Sequence, residues 1–363
     1  MTTDRQVDLL VIGCGPAGAS AARIAAEAGL RVLLVDRRRR IGDPVQCAEF
    51  VPLPMAPHVK RSGTLVQMIA TMTSVLPSGA RNISDFPGLI IDRSAFDRAL
   101  ADEAVAAGAT LWTSCSFASW DGTTACLRRS GSVIAVAARS LIGADGPHSD
   151  VAAALGLPPQ PVVQTRQYTV PLLHARHSSD IYLSDRFAGG YGWLFPKGDV
   201  ANLGVGADRA IDPDLKIPLD ELHHTLIEQG MIGAEIIGRT GGPIPVGGIR
   251  RMIHDDVLLI GDAAGLTHPI TGAGISAAVI SGEAAGHATA RRLHGEAHAY
   301  DEFAEEMNEL FGPTIERGLN CRARFRPLWR SPATQDDTVM RQGWIAFDQY
   351  FQGSAGQDAV GLV

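Results

Sequence analysis

Residues 7–36 place an apolar run, a glycine-punctuated turn, an alanine-rich stretch and a second apolar run closed by an acid, in that order. The turn reads Gly13-Cys-Gly15-Pro-Ala-Gly18, and a strand feeding such a G-x-G-x-x-G turn into a helix is the entry to a dinucleotide-binding βαβ unit. Gly13 permits the tight turn, Gly15 lets a pyrophosphate approach the backbone, and Gly18 lets helix and strand pack closely. The helix start then offers free N–H groups and the positive end of its dipole to the phosphates. Asp36 lies 18 positions beyond Gly18, the place for a carboxylate that accepts hydrogen bonds from an adenosine ribose. This unit alone is compatible with NAD and with FAD.

With 363 residues the chain is long enough for two domains, or for one α/β domain with an insertion. An apolar fraction of 45% and a charged fraction of 20% are those of a globular protein, and a net charge of −7 gives no reason to expect nucleic acid as a partner. Five scattered cysteines without a C-x-x-C pair indicate neither a disulfide framework nor a zinc site, so no metal is expected. The polar residues 1–6 and the short first apolar run predict a cytoplasmic protein, with any membrane contact peripheral. Oligomeric state is left open by the sequence.

Further along, Arg37, Arg38, Arg39 and Arg40 form a solvated turn, or one or two of them stack on an adenine or touch its phosphates. A Gly/Pro-punctuated loop carries Cys47 and Glu49. Residues 65–88 read as strands of a separate sheet, and a helix runs from Ser94, as N-cap with Asp97 three residues on, to Gly108. Turns at Asp121-Gly122 and Ser130-Gly131 lead into an apolar strand ending at Asp145-Gly146. Residues 164–207 alternate as an antiparallel sheet in which Tyr191, Trp193 and Phe195 share one face, as a core stripe or as the wall of an apolar substrate cavity. A helix covers 218–230. A third apolar strand ends at Gly261-Asp262, and a small-residue helix begins after Gly272 and Gly274. Residues 300–311 are helical and acidic; residues 316–330 carry five arginines, as a solvated face or a grip on anionic lipid or a substrate phosphate.

An NAD domain needs the first motif and Asp36 but not two more strand-end aspartates, whereas FAD spans such distributed contacts. The trio of Gly13-x-Gly15-x-x-Gly18, Gly143-Ala-Asp145-Gly-Pro-His-Ser149 and Gly261-Asp262-Ala-Ala-Gly265 resembles the flavoproteins of the aromatic-hydroxylase fold. Pro44-Val-Gln-Cys47-Ala-Glu49, Ile91-Asp-Arg93-Ser-Ala-Phe-Asp97 and Tyr191-Gly-Trp193-Leu-Phe195-Pro-Lys-Gly198 narrow the resemblance to the geranylgeranyl reductase family, over residues 7 to about 293. The fold so implied is α/β, a Rossmann-like FAD-binding domain of the glutathione-reductase/aromatic-hydroxylase type with an antiparallel β-sheet substrate domain. The FAD domain takes residues 1–60, 89–160 and 247–295, the substrate domain 61–88 and 161–246, and a C-terminal helical segment 296–363.

The same resemblance implies non-covalent FAD held by Gly13, Gly15, Pro16, Ala17, Gly18, Asp36, Arg37, Cys47, Ala48, Arg93, Asp145, Gly261, Asp262, Gly272, Ala273, Gly274 and Ile275. Cys47, Glu49 and Tyr191 are the implied catalytic residues, and Tyr191, Trp193, Phe195 and Pro269 the implied substrate wall. The implied reaction is saturation of isoprenoid double bonds of a lipid or prenylated substrate, with NAD(P)H or a ferredoxin-like protein as electron donor. A flavin monooxygenase of an aromatic or alkyl substrate is the alternative, and a non-catalytic flavin or lipid carrier the third. The chain departs from longer members in its short tail after the last flavin motif, and in Ala152, where related sequences often carry a basic residue.

Overall fold

Unbroken apolar runs build the first sheet, because a parallel strand covered on both faces has no polar side to show. Its order is Ile253–His254, Val257–Leu259, Ser132–Gly143, Arg5–Ile12, Val32–Val35 and Thr110–Trp112, parallel throughout except for the first pair. Cys115–Trp120 and Thr124–Arg129 continue it as an antiparallel meander whose turns fall at the two expected sites. The computed structural model describes residues 5–208, 211 and 214–352. The polar residues 1–4 and the last part of the C-terminal segment, 353–363, lie outside the described residues.

Small residues dictate how the helices meet this sheet. Helix Pro16–Glu27 lies directly on helix Ile275–Leu293; a Cβ on Gly282 would fall 2.2 Å from the Ala17 carbonyl oxygen. The third helix against this layer, Arg93–Ala106, is capped by Asp92, whose carboxylate accepts the Ala95 N–H at 2.8 Å. The cap is therefore two residues earlier than Ser94. Asp97 takes Arg93 as its i,i+4 partner at 2.6 Å instead of closing a capping box.

The second sheet runs in the order Gly238–Thr240, Val162–Pro171, Val200–Asp208, Gly192–Lys197, Ser178–Tyr182, Leu65–Val75, Arg81–Ile91 and Phe50–Pro52. All neighbours are antiparallel except Ser178–Tyr182 on Leu65–Val75. Helix Lys216–Glu228 packs Leu219, Leu222 and Leu226 into one apolar cluster with Leu194, Leu203 and Val205. Trp193, Met72 and Ile181 join a separate cluster with Trp344 and Phe347 of the C-terminal segment.

The acidic helix expected over 300–311 is longer: it spans Ala299–Phe325 and passes straight through Pro313. Proline removes the hydrogen bond to the Glu309 carbonyl, but both residues are exposed, so that oxygen is open to solvent. Buried Ile315, Gly318, Cys321 and Phe325 then hold the second half against the protein, so most of the arginine-rich stretch is helical.

Candidate active site

The glycine turn closes as its sequence requires. Gly13 sits at φ +100°, and a Cβ there would lie 2.3 Å from the Ala144 oxygen; a Cβ on Gly18 would lie 1.8 Å from the Gly13 oxygen. Over Gly15 the situation reverses, for an added Cβ meets nothing within 4 Å. The helix beginning at Pro16 has no side-chain cap, so its first-turn N–H groups, including those of Ala17 and Gly18, face an open cradle shaped for an anion. Asp36 borders it: its carboxylate accepts the backbone N–H of Cys14 at 2.8 Å and of Arg38 at 2.7 Å, which leaves lone pairs for a ribose hydroxyl. Arg37 beside it is exposed. Asp145 also abuts Gly13 through its backbone, but its carboxylate accepts the Ser149 hydroxyl at 2.6 Å and the Val151 N–H at 3.1 Å, beside Ser149, which caps the short helix Asp150–Ala154. Burial pushes that carboxyl above its ordinary range, opposed by those hydrogen bonds.

A second uncapped helix start converges on the same place. Helix Ile275–Leu293 follows Gly274 with no side-chain cap. A Cβ on Gly274 would fall 2.7 Å from the Thr267 hydroxyl and 3.1 Å from Asp262 Oδ1, and one on Gly261 3.0 Å from the Ala17 Cβ. Asp262 accepts the Thr267 hydroxyl at 2.5 Å; burial pushes its carboxyl up, while that bond and the Arg93 cation pull the other way. Gly272, at φ +70°, turns the loop under Ile244, and the Ala273 carbonyl accepts the His268 N–H at 2.9 Å. His268 in turn accepts the N–H groups of Ile270 and Thr271 at Nδ1, both at 3.2 Å. Burial and the Arg317 cation push this imidazole down to about 4, so it is neutral.

Arg93 links the two halves, because its charge acts on Asp97, Cys47 and Asp262 together. Cys47 and Ala48 keep partial solvent access; burial pushes the thiol up and the Arg93 cation opposes it. Glu49 is buried at φ +69°, its carboxylate accepting Lys197 Nζ at 2.7 and 2.8 Å, Asn202 Nδ2 at 2.9 Å and the Arg93 N–H at 2.9 Å. Tyr191 donates its hydroxyl to the Thr271 carbonyl at 2.5 Å and lies 4.9 Å from Trp344 and 5.8 Å from Trp193, ring to ring; burial raises its pKa. Trp193 is 6% exposed and donates Nε1 to Gln167 at 3.1 Å, while half-buried Phe195 tilts against Phe50 at 5.8 Å. Tyr191, Trp193 and Phe195 do share one cluster. Pro269 is buried beneath Gly318, and its carbonyl accepts Arg322 at 3.3 Å.

Several participants are not among the predicted site residues. Gln167, Lys197 and Asn202 hold the 47–49 loop, Thr267 holds Asp262, and Arg322 ties the C-terminal helix to the carbonyls of Gly189 and Pro269. Gln167 and Asn202 carry a signal: each is an amide inside an apolar strand, and such a residue requires a buried partner.

Two uncapped helix starts, an open glycine cradle, a ribose-side carboxylate and a half-buried aspartate beside a cation fit an extended flavin dinucleotide. Residues 8–110 match the family model of FAD-dependent oxidoreductases, and residues 216–329 that of lycopene cyclase proteins. A digeranylgeranylglycerophospholipid reductase of Methanothrix thermoacetophila is 36% identical over 88% of this chain and 87% of its own length. Among solved structures, a geranylgeranyl bacteriochlorophyll reductase-like protein of Thermoplasma acidophilum superposes with a TM-score of 0.83 at 26% identity, covering 93% of this chain and 92% of that one. PqsL of Pseudomonas aeruginosa, a probable FAD-dependent monooxygenase, shares the fold alone, with a TM-score of 0.69 at 19% identity over 93% of this chain and all of that one. The chain is an FAD-dependent oxidoreductase and belongs to the geranylgeranyl reductase family.

Proposed function

We propose that the protein saturates C=C bonds in the isoprenoid chains of a phospholipid. The observation that carries this reading is a half-buried thiol, Cys47, whose neighbour Ala48 packs against the cluster of Tyr191, Trp193 and Phe195, in a chain 36% identical to a digeranylgeranylglycerophospholipid reductase. When bound and reduced, FAD supplies the hydride. An isolated alkene is a poor hydride acceptor, so the protein has to present a proton to the other carbon and keep water away. Cys47 holds that proton: burial keeps the thiol neutral, and its partial access lets solvent replace the proton between turnovers. The Glu49 carboxylate is engaged by Lys197 and Asn202, and Tyr191 commits its hydroxyl to Thr271, so neither competes for the role. Gly13, Gly15, Ala17 and Gly18 hold the pyrophosphate, Asp36 the ribose, and Asp262, Arg93 and the turn 272–275 the flavin end.

The donor that reduces the flavin is NAD(P)H or a ferredoxin-like protein; anaerobic titration with each, followed by flavin absorbance, distinguishes them. A bilayer-resident substrate also requires peripheral membrane contact, which co-sedimentation with anionic vesicles tests. Among the described residues no helix is long and apolar enough to cross a membrane. Product mass after incubation with a geranylgeranyl phospholipid tests the function: a gain of two hydrogens per bond supports it, and a gain of one oxygen supports the monooxygenase chemistry instead.

A further inference from the structure

The tripeptide Cys47-Ala48-Glu49 does not hold its own shape. Glu49 occupies the left-handed region at φ +69°, which a non-glycine residue adopts only when its surroundings impose it. The imposition comes from three neighbouring strands of the second sheet. Gln167 Nε2 donates to the Cys47 carbonyl at 3.1 Å, and Asn202 Nδ2 donates to the Ala48 carbonyl at 3.2 Å and to the Glu49 carboxylate at 2.9 Å. Lys197 Nζ pairs with both Glu49 oxygens, and the Glu49 N–H donates to Cys47 Sγ at 3.1 Å. Behind Gln167, the Trp193 indole donates at 3.1 Å and its ring fills the place a side chain on Gly204 would need, 2.1 Å from the added Cβ. Glu49, Gln167 and Asn202 are each 4% exposed or less, so the bonds form out of competition with water.

We infer that Gln167, Asn202 and Lys197 are positioning residues, acting through the strained 47–49 loop to fix where the Cys47 thiol stands. A carboxylate with this many donors is an anchor, and Trp193 serves the loop by holding Gln167, which bonds the Cys47 carbonyl. The consequence for catalysis rests on the reading of Cys47 as proton donor; the consequence for thiol geometry does not.

The test uses FAD-loaded protein carrying Gln167→Met, Asn202→Ala or Lys197→Met, with Lys197→Arg as the conservative rescue. Two quantities are read: the rate at which iodoacetamide alkylates Cys47, by peptide mass mapping, and kcat against KM for a geranylgeranyl phospholipid. A loosened loop exposes the thiol, so alkylation quickens about fivefold or more and kcat falls about tenfold or more with KM nearly unchanged. Lys197→Arg returns both toward wild type. Unchanged alkylation and unchanged kcat in Gln167→Met, the mildest variant, would overturn the inference, and a lowered melting temperature alone would mark the residues as merely structural. Full turnover by Cys47→Ser sinks the proton-donor reading separately, while the alkylation rates still decide on positioning.

Discussion

A buried thiol retains its proton where an exposed one begins to lose it. Cys47 is pushed above the ordinary cysteine range by burial, so its acid form persists through neutral pH, and turnover should fall only on the alkaline limb as the raised pKa is passed. Cys47→Ala removes the proposed proton donor and is expected to lower kcat about a hundredfold or more, with substrate affinity retained. His268 carries a pH dependence of its own. Its neutral ring accepts two backbone N–H bonds, and its folded-state pKa of about 4 lies below the unfolded value. The unfolded chain therefore binds more protons between these values, so the stabilisation is complete above about pH 6.5 and is lost as pH falls toward 4, on the order of 3 kcal/mol in all. Urea denaturation across that window should show the slope, and His268→Asn should flatten it. Cys47 and Asp262 were legible because each stands in a short motif. Glu49 was legible as a motif residue but its pairing was not, since its partner Asn202 lies 153 positions away and no local pattern announces the pair.

Glycine and alanine set the geometry at the scale of helices and strands. The contact of Pro16–Glu27 with Ile275–Leu293 brings two helix starts to one site, and it exists because Gly282 and Gly286 admit the carbonyls of Ala17 and Ala21. Gly282→Ala should cost about 1–3 kcal/mol and weaken FAD retention, as read from the melting temperature and from flavin released on gel filtration. Period-two and unbroken apolar patterns made both sheets readable, and the paired turn dipeptides made the meander readable. Two boundaries were not. Asp92 is the cap, accepting the Ala95 N–H, while Ser94 donates its hydroxyl to Asp43 at 2.9 Å, a partner 51 positions away that no local pattern announces. The helix over Pro313 persists because packing of residues 315–325 outweighs one lost hydrogen bond, a tertiary effect that propensity does not contain.

Across the whole molecule, the site is assembled from three parts of the chain that meet around one loop. The first sheet supplies the dinucleotide cradle, the second sheet the aromatic face and the anchors of Glu49, and the C-terminal segment closes over both. Trp344, 3% exposed, lies against Tyr191, and Arg322 binds carbonyls of residues 189 and 269 from the arginine-rich helix, so at least this arginine is an internal tie. Trp344→Ala should cost about 3–5 kcal/mol and loosen Tyr191, seen as a lower melting temperature and faster flavin loss. FAD at about a hundred times its Kd should restore roughly 2.7 kcal/mol by mass action. The decisive measurement is an anaerobic single turnover: chemically reduce the FAD-loaded protein, add a geranylgeranyl phospholipid, and follow oxidised flavin absorbance together with product mass. Return of the oxidised band without air, matched by a two-hydrogen gain in the lipid, is the result expected of an alkene reductase. A band that returns only when air is admitted, with an oxygen gained by the lipid, would contradict it.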